Sequence, residues 1–381
     1  MAPKQVGKNI ETIAVHAGRG IDPATRAVAQ PIYLTTTFER EPDGSYPIGF
    51  EYSREKNPNR QALETCPAAL EGGKEALCFS SGLAVITACI NSMEPGDHVL
   101  ASDDVYYGMR MVAHKVFGKW PVEVTYVDMR DMDAVRAAIR PGSTRLIWFE
   151  TPSNPLMKVI DLAAIAEIAH AANAICVCDG TFATPVLQRP LDHGIDMVMH
   201  STTKYINGHS DVVGGALITR HENYLFERAR IFQQTGGAVP SPFDCWLMLR
   251  GIETMPYRVR AQSANALAIA RFLQAHPNVE AVHYPGLESH PAHALAARQM
   301  KGGFGGMLSV QIRGGKPEAM AVAARTRIFI RATSLGGTHS QVEHRASVEG
   351  KSTKTPQNLL RMSLGLEHID DLTGDLQQAL A

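Results

Sequence analysis

The stretch Met199-His200-Ser201-Thr202-Thr203-Lys204-Tyr205-Ile206-Asn207-Gly208-His209 decides how this chain is read. It continues a short apolar run that begins after Asp196, so a strand stops there and hydroxyls with one lysine follow. Ser201 and Thr203 flank Lys204 closely enough to donate to phosphate oxygens, and a lysine amine condenses with an aldehyde. Pyridoxal 5'-phosphate (PLP) carries both groups and asks for both partners. Taken alone, a lysine among hydroxyls is equally an ordinary solvated loop, because lysine is mostly exposed.

Upstream, Ala174-Ile175-Cys176-Val177-Cys178 reads as a buried strand ending at Asp179, followed by Gly180-Thr181-Phe182. PLP withdraws electrons only while its pyridine nitrogen is protonated, and a fixed carboxylate at a strand end holds that proton on. Asp179 would serve the ring and Lys204 the aldehyde. Asp-Gly by itself is also a common turn.

Together these residues resemble the Cys/Met-metabolism family of PLP enzymes, which includes cystathionine γ-synthase, cystathionine γ-lyase, cystathionine β-lyase, methionine γ-lyase and the homoserine-ester sulfhydrylases. Ser201 to Asp211 resembles the family's lysine signature. The likeness runs from Thr12-Ile13-Ala14-Val15-His16-Ala17-Gly18 through Tyr284-Pro285-Gly286-Leu287 and Ser289-His290-Pro291 to Arg361-Met362-Ser363. It implies a PLP-dependent transferase of fold type I, with a smaller C-terminal α+β domain.

Composition narrows the classes. A chain of 381 residues is long enough for two or three lobes, at about 100 to 200 residues per domain. With 37 basic against 38 acidic residues there is no basic field for nucleic acid or anionic lipid. Neither the first twenty residues nor any later stretch holds a run of about 18 apolar residues. The expectation is a cytoplasmic protein with a small-molecule amino-acid substrate and no nucleic-acid or membrane partner. Cys66, Cys78, Cys89, Cys176, Cys178 and Cys245 lack Cys-x-x-Cys spacing. They read as buried thiols, with no metal site expected.

In chain order, residues 1–52 are rich in breakers and poor in helical periodicity, so they form an extended arm that must pack on something else. The resemblance implies a neighbouring subunit, in a dimer with shared sites and a tetramer of dimer pairs. It also implies that Tyr52 and Arg54 reach the partner's cofactor phosphate. A large PLP-binding domain is expected over 53–246 and a C-terminal domain over 247–381. Ser80-Ser81-Gly82 precedes an apolar helix, where Gly82 and Leu83 can offer main-chain N–H groups to a phosphate; a plain N-cap fits the same residues. His98 to Ala101 reads as a strand leading to Tyr106, an aromatic able to stack on a pyridine. The resemblance adds proton exchange with the leaving group to its role. Arg145 to Phe149 is a further strand, and Asn154 beyond it resembles the residue that binds the cofactor's phenolic oxygen. Strands alternating with helices indicate an α/β fold, a mainly parallel sheet with helices on both faces. The glycines of Gly302 to Gly306 run into a strand rather than a helix and so do not make a dinucleotide site. Arg361, in the strand-like Leu359 to Ser363, would clamp a substrate α-carboxylate by resemblance, or else serve as a structural ion pair. Thr333 and Ser334 complete the expected substrate-binding set with Asn154.

The implied activity is γ-elimination or γ-replacement on sulfur-containing or O-acylated homoserine-derived amino acids, taken first as cystathionine γ-lyase-like. γ-Synthase, sulfhydrylase, methionine γ-lyase and β-lyase activities remain alternatives, and a noncatalytic PLP carrier stands as a different class. Three departures keep the subfamily open. Gly180 replaces a frequent asparagine, Thr333 a frequent glutamate, and Gly108 the cysteine of typical methionine γ-lyases.

Overall fold

The computed structural model describes residues 7–350 and 354–381. Seven strands form the larger sheet: β1 (Glu75–Phe79), β2 (His98–Ser102), β3 (Glu123–Val127), β4 (Thr144–Glu150), β5 (Ile175–Asp179), β6 (Met197–His200) and β7 (Gly215–Thr219). Their order is β1-β7-β6-β5-β4-β2-β3. Only β7 runs antiparallel to its neighbours, so the sheet is mainly parallel, as expected.

Parallel strands must be covered on both faces, because each carries apolar side chains alternately up and down. In β4, Leu146 and Trp148 pack with Phe79, Val99, Val177 and Phe226 on one face. Ile147 and Phe149 pack with Ile165, Ala169, Cys176 and Cys178 on the other. The helices Gly82–Asn91 and Tyr224–Gly236 cover the first face and Leu162–Ala171 the second. All six cysteines are buried and free.

The smaller sheet comprises β8 (Val279–His283), β9 (Met307–Ile312), β10 (Ile330–Arg331), β11 (Gln341–His344) and β12 (Leu359–Ser363). Its order is β10-β11-β12-β9-β8, antiparallel except for β10 with β11. Leu308, Val310 and Leu360 pack against Ile269 and Leu273 of the helix Met255–Ala275 and Leu376 of Ile369–Leu380. Residue 246, the expected end of the PLP-binding domain, lies inside the helix Pro242–Ile252. Ser309 Oγ donates to the Pro155 carbonyl at 2.8 Å and Gln299 Nε2 to the Ile160 carbonyl at 3.1 Å. These buried bonds fix β9 and the helix His293–Gln299 against the loop that follows β4.

The N-terminal arm differs from expectation at one place. Ile10–His16 is a helix, although seven residues are too few to be stable alone. Packing supplies what propensity does not: Ile10, Ile13 and Ala14 lie against the core cluster that holds Leu63 and Cys66 of the helix Pro58–Glu71. From residue 17 to residue 57 the regular pairing is a single bridge, Thr37 with Tyr52. Residues 1–6 of the expected arm lie outside the described residues.

Candidate active site

A cavity of about 450 Å³ opens at the carboxyl ends of β4, β5 and β6, where open α/β sheets bind ligands. Its wall brings together Gly82, Leu83, Tyr106, Asn154, Asp179, Ser201, Thr203, Lys204, Thr333, Ser334 and Arg361. These residues are spread over 280 positions of sequence (361 minus 82 is 279, counted inclusively). Tyr52 and Arg54 are not among them. They line a separate cleft of about 360 Å³ with Thr36, Gly237 and Ser241, where Arg54 donates to the Gln234 carbonyl.

One end of the cavity is built for an anion. Ser81 caps the helix Gly82–Asn91, its Oγ accepting the Ala84 N–H at 3.0 Å. The cap leaves the N–H groups of Gly82 and Leu83, the first of the helix, for a bound group. A Cβ on Gly82 would come 3.1 Å from Ser201 Cβ and 3.0 Å from Met199 Cε, so only glycine lets this helix end approach the Ser201 hydroxyl so closely. Thr203 is less free than the sequence suggests: its hydroxyl donates to the Gly214 carbonyl at 3.1 Å and accepts the Gly214 N–H at 3.0 Å.

Asp179 lies at the opposite end, with Oδ1 accepting the Thr181 N–H at 2.9 Å. Burial pushes its carboxyl up from the ordinary range, against the hydrogen bonds from Thr181 and the electrostatic influence of His200 and Lys204. A buried carboxylate in that position gains from a cation placed against it, which a protonated pyridine ring is. Lys204 Nζ donates to Ser334 Oγ at 2.8 Å. Burial first, then the neighbouring Arg361, lowers its amine to about 8, which raises the fraction of nucleophilic free base. Ser334 sits at φ +80°, a conformation rare outside glycine that the surrounding structure must hold in place. A phosphate cradle, a carboxylate for a ring nitrogen and a poised lysine, with Tyr106 on the wall between, make a donor set that fits PLP.

Beside the lysine is a cationic patch. Arg361 Nη1 donates to Asn154 Oδ1 at 3.1 Å and Nη2 to the Ser334 carbonyl at 3.0 Å. It also pairs with Glu343, which faces it across the β11–β12 ladder. Burial brings its guanidinium down to about 10, with Glu343 opposing. The structural ion pair is therefore present, and Arg361 lines the cavity as well.

Glu150, Thr181, Glu343 and Arg345 were not singled out from sequence. Glu150 accepts the Tyr106 N–H and stands opposite Asp179 in the β4–β5 register. Burial and the Asp179 charge push its carboxyl well up, against the hydrogen bond from the Tyr106 N–H. The only sequence signal was its position one residue past an apolar strand. Arg345, with its guanidinium carbon 6.0 Å from the Tyr106 ring centroid, and Glu343 become visible only when β11 is paired with β12. Gly108 also gains a reason: a Cβ there would come 2.3 Å from Tyr106 Cε1 and 2.7 Å from Leu83 Cδ2.

Comparison with known proteins agrees with this geometry. Residues 11–381 match the family described as Cys/Met metabolism PLP-dependent enzyme. The chain is 51% identical to the cystathionine gamma-synthase of Mycobacterium tuberculosis, over 97% of this chain and 96% of that one. It is 44% identical to the cystathionine gamma-lyase of Dictyostelium discoideum, over 97% of each. The crystal structure of metB from Corynebacterium glutamicum superposes with a TM-score of 0.95 at 41% identity, covering 99% of both chains. The chain belongs to the Cys/Met metabolism family of PLP-dependent enzymes and is an enzyme of the transsulfuration type.

Proposed function

We propose that the chain catalyses γ-replacement on an O-acylated homoserine, with a thiol such as cysteine as the incoming group. The observation that carries this reading is the charge of the cavity wall. Lys204, Arg345 and Arg361 line it, whereas its carboxylates are Asp179 and Glu150, both at the ring end. Thr333, on the same wall, adds no carboxylate that could bind a distal ammonium. An ester with a neutral or anionic acyl group therefore fits better than cystathionine as the starting substrate. The gamma-synthase named among the relatives acts in the same direction, while gamma-lyase activity would share the first half of the reaction.

Bound PLP supplies an electron sink for charge developing at the substrate Cα. The protein does the rest. Arg361 binds the α-carboxylate through the donors that Asn154, Ser334 and Glu343 do not use. Lys204 Nζ, oriented by Ser334 Oγ, would take the proton from Cα and then one from Cβ as the γ-acyloxy group leaves as its carboxylate; once the thiol, losing its own proton, has bonded through sulfur to Cγ, protons return to Cβ and Cα. Asp179 would hold positive charge on the ring nitrogen, and the Tyr106 hydroxyl would exchange a proton with the leaving group. Gly82, Leu83 and Ser201 hold the phosphate.

The same reading takes the protein as a cytoplasmic homo-oligomer, at least a dimer, divided into arm, PLP-binding and C-terminal parts. Among the described residues no helix is long and apolar enough to cross a membrane. Val28, Leu34 and Ile48 of the arm are 75–83% exposed, apolar surface that a second copy would cover. Tyr52 and Arg54, remote from Lys204 of their own chain, would then complete the partner's phosphate site.

A substrate panel tests the reaction. O-Acetyl- and O-succinylhomoserine with cysteine should give cystathionine faster than cystathionine itself is cleaved. Faster cleavage of cystathionine than consumption of either ester would overturn the assignment.

A further inference from the structure

At the end of the larger sheet opposite the cavity, three side chains from three elements converge. Cys176 Sγ, near the start of β5, lies 3.2 Å from Asp196 Oδ2, just before β6. His170 Nε2, in the helix Leu162–Ala171, lies 3.1 Å from Asp196 Oδ1. The ligand atoms of the three residues all fall within 4.8 Å of one another, and they make up the one such group of His, Cys and acidic side chains found among the described residues.

We propose that His170, Cys176 and Asp196 bind one zinc-class divalent cation. Thiolate, imidazole and carboxylate together are a zinc donor set. Bonds of about 2.0 to 2.3 Å in a tetrahedron separate neighbouring ligand atoms by roughly 3.2 to 3.7 Å, and with Asp196 Oδ2 as the ligand its 3.2 Å to Cys176 Sγ already stands at that range. The separations to His170 Nε2 close by movement of His170, whose side chain is half exposed. Asp196 is partly exposed as well, so the ion has a path in and water can supply the fourth ligand. The carboxylate is oriented beforehand, because Oδ2 also accepts the Cys176 N–H at 2.8 Å; such outer hydrogen bonds fix metal ligands in their binding geometry. As the sulfur–metal bond forms, the thiol proton that now points at Asp196 leaves to solvent. The metal keeps its oxidation state throughout.

The placement gives the ion a role. Cys176 lies three residues before Asp179 on β5, and Asp196 begins the run that leads through β6 to Lys204. A cation there clamps together the rear ends of the two strands that carry these residues, so zinc raises stability without entering the cavity.

The test uses the PLP-loaded protein, freed of metal with a chelator and titrated with zinc against a chromophoric competitor. One zinc per chain is expected, with a sulfur neighbour at about 2.3 Å by X-ray absorption. His170→Ala, a surface change that spares the fold, should weaken binding by roughly tenfold or more. Cys176→Ala should abolish the sulfur signal. Zinc bound without a sulfur neighbour, or bound equally well by wild type and His170→Ala, would overturn the proposal and leave the group as a hydrogen-bonded strand cap. Because His170→Ala is read independently, poor folding of the cysteine variant does not remove the test.

Discussion

Lys204→Met in the cofactor-free protein should change stability in a pH-dependent way whose sign is fixed by the environment of the amine. The Lys204 amine lies at about 8 in the folded chain against 10.5 for the free side chain. Each unit corresponds to about 1.4 kcal/mol, so holding this lysine charged in the folded state costs about 3 kcal/mol. At about pH 7 both folded and unfolded chains carry the proton and the full cost is present. Between 8 and 10.5 the unfolded chain still binds the proton and the folded one does not, so stability rises with pH. Above both values the cost is gone. Relative to Lys204→Met, wild type should therefore gain about 2 to 3 kcal/mol from about pH 7 to pH 10. The Lys204–Ser334 hydrogen bond, which the amine can donate in either protonation state, adds an offset between the two proteins and leaves the direction of the pH trend unchanged. Urea unfolding of both proteins, with the cofactor removed, measures the difference at each pH, and the many other groups that titrate in this range cancel between them. A difference that stays flat with pH, or moves the other way, would refute the claim that burial and Arg361 depress this amine.

Three further outcomes are expected. Arg54→Ala and Lys204→Ala should each be nearly inactive alone, yet regain part of the activity when mixed, because one of the two shared sites then holds both intact residues; no recovery despite demonstrated subunit exchange would mean that the arm serves its own chain. Glu71→Gln should destabilise the protein by about 1 to 3 kcal/mol, as disturbing a buried hydrogen bond does, since Glu71 Oε1 lies 2.6 Å from His200 Nε2 and both residues are almost fully buried; unchanged stability in chemical denaturation would show that this contact does not help hold the helix Pro58–Glu71 against β6. Gly108→Ala should cost about 1 to 3 kcal/mol by overpacking and weaken PLP retention by displacing Tyr106, whereas unchanged cofactor absorbance after dialysis would show that the Tyr106 ring moves freely.

The order of strands and helices, and the residue types at Lys204 and Asp179 that point to PLP, could be read from the sequence because both are local. Alternation of apolar runs marks a strand such as Ile175–Asp179 whatever it pairs with, and a lysine among hydroxyls four residues beyond β6 carries its own chemical meaning. Strand order could not be read this way. β7, the antiparallel strand between β1 and β6, has no mark in its residues Gly215 to Thr219 that tells its direction, since pairing depends on partners far away in the chain. Seven-residue Ile10–His16 is helical only because Leu63 and Cys66 offer a surface to pack on. The same reason hid Glu150, Glu343 and Arg345. A carboxylate tuned by Asp179 across a sheet register, or paired with Arg361 across an antiparallel ladder, acquires its charge state and its partner from burial and proximity. Neither exists until the chain has folded.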